Sequence, residues 1–224
     1  MRRKTQIAFT LNIIIVIMTI IAFIVMFTDL KFMPGTETVI ASSKIGRLRF
    51  FTIDSNLLMG IVALIFAIEQ KKLLDGKIKG IKPVFYVCNL MATSAVGLTF
   101  TIVLVYLGQI TPNGLYSMYV NKNLFFHGLI PLLSMINFIF FEKTNKLKFK
   151  HTILALMPII VYTTYYLMNL LLHIENNTVS PEYDWYYFIQ KGVNTIIIVL
   201  PVILTVSYII SYALYHFNKK KSYA

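Results

Sequence analysis

Six times along this chain an apolar run of transmembrane length gives way to a short polar segment. The runs cover about residues 7–27, 50–69, 84–107, 124–141, 152–172 and 193–217. A bilayer core needs about 20 residues of helix at 1.5 Å each, and each run meets that length. Composition agrees: only 13% of the 224 residues are charged and mean hydropathy is +0.70, against about 25% charged in a soluble domain. The expected fold class is therefore all-α, a single polytopic membrane domain (1–224) built as a bundle of six transmembrane helices. The first run follows a basic head (Arg2, Arg3, Lys4) as a signal peptide would. It is longer than the roughly 7–15 residues of a signal h-region, and we read it as a retained span.

The net charge of +12 does not form one basic patch. Fifteen of the 21 basic residues fall in the head, the segments after the second and fourth runs, and the tail. That alternation is the orientation signal of membrane proteins, and it argues against nucleic acid as a partner. It predicts both termini in the cytoplasm and a cell-membrane location. The four basic residues Lys31, Lys44, Arg47 and Arg49 after the first run are the exception. The lone Cys88 lies in an apolar run and reads as a small hydrophobe.

Polar side chains inside the runs carry the functional argument, since each is expensive in hydrocarbon unless paired. Thr52, Ser55 and Asn56 open the second run, and His127 opens the fourth. In the predicted topology Asn169 and His173 of the fifth run reach the same level. Thr52, Asn56, Gly60, Ala63 and Ala67 share one helical face, as do Asn89, Thr93, Gly97 and Thr101, and Tyr162, Tyr166, Asn169 and His173. These faces should look into the bundle, small residues letting another helix approach. Pro131, Pro158 and Pro201 should kink their helices, the first freeing the His127 carbonyl.

The chemistry open to Thr52 and His127 is that of a nucleophile and its general base. Asn56 is a candidate donor to a developing oxyanion, with Ser55, Asn169 and His173 as further supporting candidates. The alternative is structural, with Thr52 bonding its own helix and His127 joining two helices. Asp54 lies off the Thr52 face and should pair with Arg49 or a neighbouring span. No cofactor is expected. The histidines lack ligand spacing on one helix and no Cys/His cluster exists, so no metal site is expected either. Asn176-Asn177-Thr178 matches a glycosylation sequon. The aromatic segment Tyr183-Asp184-Trp185-Tyr186-Tyr187-Phe188 is expected at an interface, with Trp185 and Tyr186 as a belt or a lid.

Phe50-Phe51-Thr52-Ile53-Asp54-Ser55-Asn56, His127 with an apolar helix ending at Glu142, and Trp185-Tyr186-Tyr187-Phe188 together resemble the androgen-induced and androgen-dependent membrane hydrolases. They resemble still more the bacterial integral membrane relatives of that family. The resemblance spans about residues 45–215. It implies a six-span fold in which a threonine and a histidine cleave fatty acid esters of hydroxy fatty acids, at the positions held here by Thr52 and His127. Eukaryotic members carry an acid where this chain has Ser55, and a proline in the aromatic segment that is missing here. The expected partners are then membrane lipid and a fatty acyl ester substrate. The competing expectation is a non-catalytic transport or scaffold protein.

Overall fold

The computed structural model describes residues 2–35, 45–107, 114–175, 178–180, 182–186, 188 and 194–219. Asn176 and Asn177 of the sequon, Tyr187, and Lys44, Lys191, Lys220 and Lys221 of the charge count lie outside the described residues.

Six helices in the described residues are long and apolar enough to cross a membrane, the make-up of a multi-pass membrane protein. They are α1 (Arg2–Thr28), α2 (Phe51–Leu74), α3 (Pro83–Ile102, continued by a wide π turn over Val103–Leu107), α4 (Leu124–Phe141), α5 (Lys150–Leu172) and α6 (Asn194–Asn218). Each helix falls on one apolar run, extending a few residues where the ends can sit in headgroups. A two-stranded hairpin, β1 (Ile174–Glu175) with β2 (Thr178–Val179), follows α5.

Local chemistry sets the boundaries. α2 runs on through Lys71 and Lys72 and stops at Gly76, whose φ of +74° only glycine adopts without cost. There Lys77 N–H returns to the Lys72 carbonyl (2.9 Å) and Gly76 N–H to Leu73 (3.2 Å), a Schellman stop. Pro83 starts α3, where its missing N–H leaves no bond unmade.

The small-residue face of α2 looks inward as expected: Asn56, Gly60, Ala63 and Ala67 are all buried. A Cβ on Gly60 would lie 2.7 Å from Thr19 Cγ2 of α1, so the missing side chain is what brings these helices together. Asn89 and Thr93 on α3, and Tyr162 and Tyr166 on α5, also face the core. Ile17, Ile20, Ile24, Leu171, Leu172 and Ile197 remain exposed, as a lipid-facing surface requires.

The three prolines act differently. Before Pro131 the chain widens into a π turn, Leu124–Leu129, in which Ile130 N–H bonds the Phe125 carbonyl. Pro131 offers the His127 carbonyl no donor and its ring crowds that carbonyl, and a wider turn relieves the clash. Pro158 sits in the first turn of Met157–Leu172, so α5 is two helices, Lys150–Leu154 and Met157–Leu172, joined at Ala155 and Leu156. Pro201 lies within a helix that runs unbroken from Asn194 to Asn218.

An even number of antiparallel passes brings the chain ends together. Asn218 of α6 donates to the Phe138 (2.6 Å) and Glu142 (3.1 Å) carbonyls at the end of α4, and Asn12 of α1 reaches the Glu142 side chain. We call this the terminal end of the bundle; Thr52 and His127 belong to the opposite end.

Candidate functional site

At the opposite end α2 and α4 are joined by one amide. Asn56 is fully buried, and its Nδ2 donates to the Thr52 carbonyl (2.7 Å) and to the Phe126 carbonyl (3.0 Å). The residue before His127 is therefore tied to the same nitrogen as the backbone of Thr52. Ser55 donates its hydroxyl to the Thr52 carbonyl at 3.1 Å. Both Asn56 N–H groups are engaged, while its Oδ1 is buried without a partner.

His127 lies in the π turn with its Nδ1 3.0 Å from the Met118 carbonyl. A carbonyl has no proton to give, so Nδ1–H is the donor, and in the neutral ring the lone pair then resides on Nε2. Thr52 is half-buried in the first turn of α2. Among the described residues its hydroxyl makes no hydrogen bond, to His127 or to any other group. The two side chains thus share a level without touching through a hydrogen bond.

The aromatic segment closes over the N-terminus of α2. Tyr186 Oη accepts the otherwise free Phe51 N–H (2.9 Å), and Trp185 Nε1 donates to Tyr162 Oη (3.0 Å), which donates to the Arg49 carbonyl (2.7 Å). Asp184 is fully buried, taking bonds from the Tyr166 hydroxyl and from Phe188 N–H. Asn169 and His173 serve this segment. Asn169 donates to the Tyr183 carbonyl (2.8 Å), and His173 stacks on Tyr183 at 3.5 Å and 10°. Burial pushes the Tyr186 hydroxyl up to about 12.

Arg49 does not pair with Asp54. It donates to the Glu182 carbonyl (2.6 Å) and lies over the Trp185 ring at 5.1 Å. Asp54 is exposed in the first turn of α2, where a negative charge complements the free N–H groups. An apolar crevice between α5 and α6, lined by Leu167, Ile196, Leu200 and Ile203, opens beside Tyr166 and Phe188.

A second polar centre, at the terminal end, escaped the sequence reading. The Glu142 carboxylate is 4% exposed and accepts N–H groups from three helices. Asn12 of α1 (2.6 Å) and Gln70 of α2 (2.9 Å) bond Oε1, and Asn89 of α3 (2.5 Å) bonds Oε2. Asn12, Gln70, Asn89, Asn137 and Glu142 all lie near the same end of their spans, a signal that depth bookkeeping at that end would have exposed. Among the described residues no group of three His, Cys, Asp or Glu side chains could hold a metal ion.

These two polar centres, one at each end of a six-helix apolar bundle, define the class: a multi-pass helical membrane protein with buried polar machinery. No known protein family, curated protein or solved structure matches the chain.

Proposed function

We propose that the chain is a membrane-embedded hydrolase of fatty acyl esters, with Thr52 as nucleophile and His127 as base. The observation that carries this reading is the Asn56 amide, bonded at once to the Thr52 carbonyl and to the residue preceding His127. The free Thr52 hydroxyl and a His127 ring held through Nδ1 support it. The threonine oxygen attacks the acyl carbon while Nε2 takes its proton. The imidazolium returns that proton to the departing alkoxide, and water activated by the same nitrogen releases the fatty acid. The bound ester has to draw the hydroxyl and ring into hydrogen-bond reach, since catalytic hydrogen bonds often tighten only in the complex. The resemblance to the androgen-induced and androgen-dependent hydrolases favours the same pair.

The charge pattern orients this site. With both termini on the cytoplasmic side, Thr52 and His127 lie near the outer leaflet, and substrate arrives laterally from lipid. The aromatic segment, anchored by Trp185 and Tyr186, then roofs the site. A cell membrane of bacterial origin fits the lean toward Ile, Lys, Asn, Phe and Tyr.

A second reading, non-catalytic transport or scaffolding, is favoured by the Glu142 centre, because buried carboxylates in membrane spans mark ion and proton paths. Labelling of membranes with an acyl-directed fluorophosphonate separates the two. The hydrolase reading expects label that is lost in both Thr52→Ala and His127→Ala. Label persisting in both variants, or solute flux through proteoliposomes with no label at all, overturns it.

A further inference from the structure

Glu142 closes α4 and is held by amides whose orientation is set from behind. Asn137 Nδ2 donates to Asn12 Oδ1 (3.1 Å), Asn12 Nδ2 to Gln70 Oε1 (3.0 Å), and Thr93 Oγ1 to Asn89 Oδ1 (3.2 Å). Each amide is thereby turned so that its N–H edge meets the carboxylate. The cage is built for one negative charge. Among the described residues Glu142 makes no ion pair. Lys146 donates to the Ile81 carbonyl, Lys72 pairs with Glu69 (2.7 Å), and Lys71 with Asp75 (2.8 Å). Tyr86 of α3 lies near the carboxylate and its hydroxyl bonds Thr144. His216 of α6 packs on Tyr212 and Phe217, and His151 of α5 accepts Lys148 N–H. Near the α1 partner, Asn12, the helix carries no titratable side chain. A buried carboxylate without a countercharge is costly even when hydrogen-bonded.

A fourth amide completes the cage. Asn12 and Gln70 bond Oε1, Asn89 bonds Oε2, and the Asn137 amide also hydrogen-bonds the carboxylate. One wide turn earlier, Asn137 is 1% exposed and its Oδ1 has no partner. The π turn Asn137–Phe141, in which Glu142 N–H bonds the Asn137 carbonyl (3.0 Å), keeps the two residues on neighbouring levels.

We infer that Glu142 is a proton-binding site, its charged form held by the amides of Asn12, Gln70, Asn89 and Asn137. The step is a single protonation: a carboxylate lone pair takes a proton from hydronium at the terminal end, one O–H bond forming as one O–H bond of hydronium breaks and water departs. The uptake removes the uncompensated charge. The amides favour the carboxylate form, while burial without a countercharge among the described residues favours the acid, so the two states are balanced against each other. This inference stands apart from the Thr52–His127 reading.

The test is pH-difference infrared spectroscopy of the full chain in lipid nanodiscs, from mildly acidic to mildly alkaline pH. A reversible band of a buried protonated carboxyl is expected, moved by isotopic labelling of glutamate and lost in Glu142→Gln. Asn137→Leu keeps the carboxyl but removes an amide that holds its charged form, and should shift the midpoint to higher pH by about one unit. The proposal is overturned by no such band, by a band that survives in Glu142→Gln, or by a midpoint unmoved in Asn137→Leu. If Glu142→Gln does not fold, the glutamate label and the Asn137→Leu midpoint decide alone.

Discussion

Asn56 of α2 holds the Phe126 carbonyl of α4 at 3.0 Å, the direct side-chain link between these helices at the level of Thr52. The π turn leaves α4 short of ladder donors around this point, so the amide replaces a bond the helix has lost.

Replacing Asn56 with Leu keeps the volume and removes that donor. The expected cost is about 1–2 kcal/mol, the range of interhelical hydrogen bonds in membranes. Unfolding in mixed detergent, followed by the fluorescence of the single Trp185, measures it. Under the hydrolase reading fluorophosphonate labelling should also slow, because Thr52 and His127 lose their common anchor.

Gly60→Val should separate α1 from α2. The added carbons meet Thr19 at under 3 Å, and overpacking of this kind costs about 1–3 kcal/mol. Thr19→Ala should recover part of the loss in the double variant but none in the wild-type background. A double-mutant cycle on unfolding free energies tests this, and additivity would contradict the close approach.

Tyr186→Phe removes the acceptor of Phe51 N–H and should cost about 1 kcal/mol at neutral pH. The alkaline limb is more diagnostic. With its folded value raised to about 12 against 10 unfolded, Tyr186 keeps its proton in the native state while the unfolded chain loses it. Its contribution is whole below pH 10 and declines at about 1.4 kcal/mol per pH unit between 10 and 12. Tyr186→Phe should flatten that part of the stability curve relative to wild type.

Asn12→Leu takes one donor from Glu142, and Asn12→Asp replaces it with a second carboxylate. Both should destabilise the terminal end, and Asp should be the worse at alkaline pH, where two unpaired charges meet. The order Leu milder than Asp, narrowing on acidification, is read from thermal unfolding across pH.

The fold was largely legible because hydropathy is local. The run 124–141 coincides with α4, and the other runs meet their helices within a few residues. The inward faces of α2 and α3 were legible for the same reason, since helical period depends only on neighbours in sequence. Register between helices is not local, and it is less legible. Depth groups Asn169 and His173 with Thr52 but does not name their partner, Tyr183 in the aromatic segment. In the sequence Glu142 marks only the end of a helix, because its partners lie 53 to 130 residues away. The expected kink at Pro131 became a wide turn, since a proline states which bond is lost and not how the chain accommodates the loss.

The reach of Asn12 to Glu142 sets a schedule for biogenesis. When α1 leaves the translocon its amide has no partner in hydrocarbon, and the first to arrive is Gln70, 58 residues later. A hairpin of α1 and α2, closed at Gly60, is therefore the earliest unit that can bury Asn12. The acidic keystone follows 130 residues after Asn12 and clasps three helices already inserted. Ribosome-stalled intermediates ending before α4 should stay loosely associated, and those extending past Glu142 should resist extraction from the membrane as one body.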